Sequence, residues 1–118
     1  MVLAEKQSHL TKAEHNKDFL ENIIKGNELY NDWSATVIFY CAVHIVEAYF
    51  AEKNIHHLKH KDRQNDIRQE SALSSIRVSY KILEDLSRTA RYECITISNE
   101  QILKNKAHLL YLEKCMPK

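Results

Sequence analysis

The chain has 118 residues, with one glycine and one proline, so it fits a single domain but lacks the turn residues that a many-stranded sheet needs. Seventeen Lys and Arg against sixteen Asp and Glu give a formal charge of +1, which excludes a strong overall attraction to nucleic acid or anionic membranes. The composition therefore predicts one all-α domain over residues 1–118.

The first helical pattern covers residues 3 to 25, where apolar residues recur at spacings of three, four and seven. Lys25 and Gly26 supply a cation and a left-handed stop at its end. The opening segment MVLAEKQSHL has no apolar signal core, so we expect a soluble, cytoplasmic protein.

The second helix is the most apolar segment, with Asn31 or Asp32 as its predicted N-cap and its end near Glu52. Apolar residues occupy nearly all of its circumference, which is typical of the central helix of a bundle. The Val37–Ala51 run is shorter than the about 20 residues of a membrane-spanning helix and is interrupted by His44, so no membrane association is expected.

Three polar side chains share one face of this helix, because Tyr40, His44 and Glu47 are spaced by four and three residues. A carboxylate can hold an imidazole in one tautomer, as a general base or an RNA-binding site requires. The alternative interpretation is a buried histidine that is hydrogen-bonded to tyrosine and glutamate for structural reasons alone.

A polar connector follows over residues 54 to 69, with a short helix predicted near Arg63 to Arg68. Its ligand-type side chains are His56, His57, His60 and Asp62. Imidazole and carboxylate groups can bind zinc, but no matched pair lies elsewhere, so solvated or capping histidines are expected, with no metal and no cofactor.

Three cysteines lie far apart in the sequence, at Cys41, Cys94 and Cys115. Their odd number and the lack of a CxxC pair argue against a disulfide framework and a cysteine zinc site. We interpret them as small apolar packing residues in a reducing compartment.

The third helix has an apolar face and an opposite face that carries a basic stripe. The apolar face consists of Leu73, Ile76, Tyr80, Leu83 and Ala90, and the stripe consists of Arg77, Lys81, Arg88 and Arg91, broken by Glu84. Arginine side chains in such a stripe can contact several phosphates of a flexible strand. Alternatively, the stripe is a solvated face with ion pairs such as Glu84 to Arg88.

The fourth helix opens with a capping box formed by Ser98 and Gln101 and runs to about Met116, before Pro117. With short connections and one shared core, the elements predict an up-and-down four-helix bundle. A polar connector or short extra helix lies between its second and third helices.

The order of these elements resembles the HEPN superfamily of small helical-bundle domains. Three segments carry the resemblance: the helix Trp33–Phe50 with its core FYCAVH, the connector HLKHKDR at His57–Arg63, and YKILEDLSRTARY at Tyr80–Tyr92. The resemblance in the order of the elements covers nearly the whole chain. The resemblance implies a homodimer with polar residues at a cleft. Many members of the family cut RNA without a metal, whereas others bind nucleotides or partner proteins.

The chain departs from the family's catalytic signature, an arginine followed after about four to six residues by a histidine with roles in phosphate binding and proton transfer. No arginine of this chain has a histidine at that spacing. If a site forms, separate helices must bring its groups together. We assign catalysis to His44, His60 and Arg91, and RNA or nucleotide binding to Tyr40, Arg63, Arg88 and Tyr92.

Three functions follow as hypotheses. The first is a HEPN-like module that homodimerises and binds RNA, a nucleotide or a partner protein, such as an antitoxin or a nucleotidyltransferase, without standard catalytic activity. The second is a metal-independent endoribonuclease of toxin or antiviral type. The third is a small histidine-rich metal-binding protein that uses the connector.

Overall fold

The computed structural model of the protein describes residues 4–22 and 28–117, and every regular element in them is helical. The five α-helices are α1 (Lys6–Asn22), α2 (Asn31–Glu52), α3 (His60–Gln69), α4 (Arg77–Tyr92) and α5 (Asn99–Cys115). Short 3-10 segments at Glu28–Tyr30 and Ser71–Ile76 precede α2 and α4. The predicted all-α fold is confirmed.

The long helices α1, α2, α4 and α5 form the bundle, and α3 is the short extra helix. Helix α2 packs against the other three, and fourteen of its 22 residues are buried, which confirms its central position. The start of α1 pairs with the end of α2 through Lys6 and Glu52, 2.8 Å apart. Asn31, the first residue of α2, meets Asn99, the first residue of α5, so these two helices run parallel. These contacts fit an up-and-down order.

The central helix is longer than its most apolar run. By length and composition alone, Glu28–Glu52 could cross a membrane, although the Val37–Ala51 run is too short to do so. However, 72% of its most apolar 18-residue window is buried inside the protein, as in the core helix of a globular bundle.

The predicted caps have different outcomes. At α5, Ser98 Oγ accepts from the backbone N–H of Gln101, and Gln101 Oε1 accepts from the backbone N–H of Ser98, so the capping box is confirmed. The proposed stop at Lys25 and Gly26 lies outside the described residues.

The predicted side-chain cap of α2 is wrong. Tyr30 occupies the N-cap position, and Asn31 is the first helical residue. The buried Asn31 amide donates instead to the Ile97 carbonyl at 2.9 Å and to Asn99 Oδ1 at 3.0 Å. It therefore ties the start of α2 to the loop before α5, which stabilises the packing of two helices rather than one helix end.

A buried hydroxyl on α4 gives a first stability prediction. Ser87 is fully buried, and its Oγ has no hydrogen-bond partner among the described residues. Since an unpaired buried hydroxyl costs about 1–3 kcal/mol, we expect Ser87→Ala to raise the free energy of unfolding by about 1 kcal/mol. Ser79→Ala is the matched control, because the buried Ser79 hydroxyl lies 3.1 Å from His108 Nδ1. Urea denaturation should show stabilisation for the first variant and destabilisation for the second; the reverse order would contradict the argument.

Candidate functional site

Helices α2, α3 and α4 bring together five polar side chains, Tyr40, His60, Arg63, Arg88 and Arg91, which we call the arginine–histidine cluster. Arg91 Nη1 donates to the Tyr40 hydroxyl at 3.0 Å. Arg63 Nη1 lies 2.8 Å from His60 Nδ1, and the Tyr40 and His60 ring centroids are 6.5 Å apart. Arg88 is close enough to influence the charge of His60. Six of the seven predicted site residues, including Tyr92, thus lie in one region.

Apolar packing beneath the cluster fixes the positions of its rings. Phe39 is fully buried, with ring centroids 5.7 Å from Tyr40 and 5.8 Å from His60. On the outer side, the Arg91 guanidinium lies 5.9 Å from the Tyr40 ring centroid and 5.5 Å from that of Tyr92. Because the Tyr92 ring is 77% exposed, the cluster ends in an accessible aromatic surface.

The cluster keeps His60 in its neutral form. Partial burial lowers the pKa of His60, and the charges of Arg63, Arg91 and Arg88 lower it further, against an opposing effect of Glu84. At neutral pH, an imidazole whose Nδ1 accepts from Arg63 carries its proton on Nε2. His60 is therefore a neutral N–H donor surrounded by arginines.

A buried network orients Arg63 from behind. Glu47 Oε1 accepts from Arg63 Nε at 2.6 Å and lies 2.7 Å from His57 Nδ1. The other nitrogen of His57, Nε2, is 2.6 Å from an oxygen of Asp66. We call Glu47, His57, Arg63 and Asp66 the Glu47 network. Because Glu47 and Arg63 are both buried, this network holds the Arg63 guanidinium in one position.

His44 lies outside the cluster. The predicted contact of His44 with Glu47 is replaced by a contact with His9 of α1, whose Nδ1 is 2.9 Å from His44 Nδ1. Burial lowers the pKa of His44 to about 4, and the nearby charges of His9, Lys12 and Arg63 act in the same direction, against Glu47. Glu47 is already bonded to His57 and Arg63. It therefore holds the imidazole of His57, whereas the helical spacing predicted that it would hold the imidazole of His44.

This histidine pair predicts an acid-sensitive stability. As the pH falls from 6.5 toward 4, the unfolded chain protonates His44 but the folded protein does not, so stability falls with pH through this window. We expect a loss of about 1–2 kcal/mol, discounted because the ring is only half-buried. His44→Gln should flatten the profile of unfolding free energy between these pH values, whereas His15→Gln, at an exposed site on α1, should leave it unchanged. An equal slope in wild type and His44→Gln would contradict this prediction.

The basic stripe predicted on α4 is divided. Glu84 is 2% exposed, and its Oε2 accepts from Gln64 Nε2 at 2.6 Å, so the predicted surface pair of Glu84 with Arg88 is wrong. Arg77 donates to the backbone carbonyls of Ile67 and Glu70. Lys81 pairs with Asp85 on the surface, and Arg88 and Arg91 belong to the cluster.

Two connector histidines, His57 and His60, are bonded to neighbouring side chains. His57 is part of the Glu47 network, and His60 contacts Arg63. Within residues 4–22 and 28–117, no group of three or more His, Cys, Asp or Glu side chains is placed to hold a metal ion. This arrangement gives no support to the metal-binding hypothesis.

The three cysteines differ in exposure. Cys41 is buried, and burial raises the pKa of its thiol to about 12, as expected for an inert packing residue. Cys115 is half-buried and packs against the core. Cys94 is exposed, so its interpretation as a packing residue is wrong.

Sequence reasoning did not identify His9, Gln64 or Asp66 as parts of the polar networks. Each contacts its partner across different helices or across the α2–α3 connection, at separations of 35, 20 and 9 residues. Helical spacing carries no signal for such pairs, because it reports only on residues three or four apart.

Comparison of the chain with protein-family models, with curated proteins and with solved structures gives no match.

Proposed function

We propose that the protein is a HEPN-like module that binds single-stranded RNA or a nucleotide at the arginine–histidine cluster. The observation that carries the proposal is the Arg91–Tyr40 hydrogen bond, with the Tyr40 ring centroid 6.5 Å from that of His60 and Arg63 Nη1 2.8 Å from His60 Nδ1. A fixed guanidinium is preorganised to bind a phosphate through two parallel hydrogen bonds.

Local charge supports this proposal better than overall charge does. The chain has a formal charge of +1, but the carboxylates next to the cluster are buried and bonded: Glu47 to Arg63 and His57, and Glu84 to Gln64. Arg88 is exposed, whereas Arg91 is half-buried, with its Nη1 bonded to Tyr40 and its Nε enclosed, so Arg88 is the more accessible of the two cations. An anionic ligand of modest size therefore meets cations and the neutral N–H of His60.

The exposed ring of Tyr92 suits a nucleic acid rather than a simple anion. It lies beside Arg91, and 77% of it is exposed. Stacking of a base on an aromatic ring contributes about 1–3 kcal/mol and is independent of sequence. A strand whose phosphate contacts Arg91 can place a neighbouring base on this ring.

The proposed module is a homodimer, as the resemblance implies. Helix α5 offers one apolar surface for this contact, since Leu103 and Leu110 are two turns apart, 67% and 68% exposed, and followed by the exposed Tyr111. Light scattering on the purified protein should give twice the chain mass. Leu103→Glu should shift this mass toward that of a monomer, and a monomeric wild type would contradict the proposal of a dimer. An antitoxin or a nucleotidyltransferase as the partner remains a further proposal.

Fluorescence anisotropy with labelled single-stranded RNA of mixed sequence tests the binding function. We expect the double variant Arg88→Ala with Arg91→Ala to weaken binding at least about tenfold, and to reduce the slope of log K against log salt by about 1.4. Lys104→Ala is the control, because Lys104 is a 71% exposed cation on α5. Equal affinities of wild type and double variant would overturn the proposal.

The endoribonuclease remains a second candidate, favoured by one observation. His60 lies in the arginine–histidine cluster, and its neutral imidazole can take a proton at Nδ1 once a bound phosphate draws Arg63 Nη1 away from that nitrogen. Incubation of the protein with RNA in chelator should then yield fragments, and Arg91→Ala should abolish them. Intact RNA after long incubation with the wild-type protein would reject this candidate and leave the binding module.

A further inference from the structure

A groove of about 420 Å³ lies between α3 and α4, next to the arginine–histidine cluster. Its apolar lining comes from Ile67, Val78, Tyr80 and Ile82. Val78 and Ile82 are 70% and 37% exposed, so these walls are accessible from solvent. The volume and the apolar walls fit a flat heterocycle of the size of a nucleobase.

One carboxylate among the residues that line the groove has a buried oxygen without a hydrogen bond. Glu84 lines the groove and is 2% exposed, and its Oε2 accepts from Gln64. No donor in the described part of the chain hydrogen-bonds to its Oε1, and Lys81 Nζ lies 3.8 Å away. A buried acceptor of this kind favours a ligand that brings N–H donors.

The rim of the groove carries the opposite charge. Arg68, Arg77 and Lys81 line it together with the apolar residues. Glu84 alone could accept hydrogen bonds from a positively charged ligand, but the three cations would repel such a ligand. The same three cations attract a phosphate group. A ligand that fits the apolar walls, the free carboxylate oxygen and the basic rim is a neutral base that has N–H donors and is attached to a phosphate.

We propose that the groove binds a guanine base; this proposal rests on the proposed nucleotide-binding function and specifies its ligand. Guanine presents two adjacent donors, the ring N1–H and the amino group on C2, to a carboxylate. Adenine and cytosine present an amino group beside a ring nitrogen that accepts, and the N3–H of uracil lies between two carbonyl oxygens that repel a carboxylate. Guanine therefore matches Glu84 better than the other three bases do.

The groove and the cluster are continuous along α4. Glu84 and Arg88 are four residues apart, so they lie on one face of the helix and about 6 Å apart along its axis. On α3, Gln64 at the groove directly follows Arg63 of the cluster. A nucleotide can therefore place its base in the groove while its phosphate contacts the arginines.

Isothermal titration of the wild-type protein with the monophosphates of guanosine, inosine, adenosine and uridine tests the inference. We expect guanosine monophosphate to bind at least about tenfold more tightly than the adenosine and uridine forms, with inosine, which lacks the amino group, in between. Glu84→Gln should remove this preference. Val78→Glu should block binding of guanosine monophosphate. Because Val78 is an exposed residue of the groove wall, this substitution does not disturb the buried hydrogen bonds of Glu84. If Glu84→Gln fails to fold, the inosine comparison and Val78→Glu decide.

The outcomes separate this inference from the proposed function. Equal affinities for all four monophosphates, unaffected by Val78→Glu but lost in Arg91→Ala, would overturn the guanine groove and leave the cluster as a phosphate site. RNA binding without any binding of monophosphates would also overturn the groove alone. Absence of both RNA and monophosphate binding would overturn both proposals, and guanosine monophosphate binding without RNA binding would overturn the RNA proposal alone.

Discussion

Glu47→Ala is expected to lower the free energy of unfolding by about 3–5 kcal/mol, because it leaves the guanidinium of Arg63 buried without its anion. Glu47 and Arg63 are 4% and 6% exposed, and Glu47 Oε1 to Arg63 Nε is 2.6 Å. The same substitution removes a partner of His57 Nδ1. Urea denaturation monitored by circular dichroism measures the loss.

A matched control separates burial from charge pairing alone. Glu52 is also a glutamate on α2, and its carboxylate is 2.8 Å from Lys6 Nζ, but both side chains of this pair are largely exposed. Solvent-exposed ion pairs contribute about 0–1 kcal/mol, so Glu52→Ala should change stability little. Similar losses for Glu47→Ala and Glu52→Ala would show that the Glu47 network does not stabilise the fold.

The double variant Glu47→Ala with Arg63→Met tests the cause of the loss. If the unpaired charge is responsible, removal of both partners should recover about half of the stability lost in the single variant. The remaining loss is assigned to His57. The single variant Arg63→Met completes the comparison. If the loss of stability in the double variant equals the sum of the losses in the two single variants, the two side chains do not interact and this explanation is contradicted.

The parts of the fold that depend on local sequence were predictable. Ser98 and Gln101 form their capping box because both partners lie within one helical turn. The central position of α2 follows from an apolar circumference that cannot be solvated. The short helix before Gln69 was also anticipated, although it begins at His60 rather than near Arg63.

The polar contacts between helices were not predictable from spacing. Asn31 has the side chain of an N-cap, but its amide reaches Ile97 and Asn99, which lie 66 and 68 residues away. Glu84 follows the polar pattern of an exposed helix face, yet Gln64 satisfies one of its oxygens in the interior. Tertiary partners of this kind override local preference, because they change the cost of burying a polar group.

The candidate site combines both kinds of information. The residue types were predictable, since the side chains of Tyr40, His60, Arg88 and Arg91 suit phosphate binding and proton transfer. Their grouping depends on the crossing of α2, α3 and α4, which places Arg91 against Tyr40 across 51 residues. His44 shares a helix face with Tyr40 but contacts α1, so membership of one face did not predict membership of one site.

Phe39→Ala is expected to lower the free energy of unfolding by about 3–5 kcal/mol and to weaken RNA binding as well. Phe39 is fully buried at the centre of α2, with its ring centroid 5.5 Å from that of Tyr80. Its removal leaves a cavity beneath Tyr40 and His60, so these two rings lose the surface that fixes them.

The control for this variant is another phenylalanine of the same chain. Phe19 on α1 is 40% exposed, so Phe19→Ala should lower stability by less than about 1 kcal/mol and leave RNA binding unchanged. Phe39→Leu should fall between the two, because it keeps most of the apolar volume but not the flat ring. Binding should be measured at a temperature where each variant is at least nine-tenths folded by circular dichroism. Wild-type affinity in folded Phe39→Ala would contradict the claim that this ring positions the arginine–histidine cluster, even if the predicted loss of stability is found.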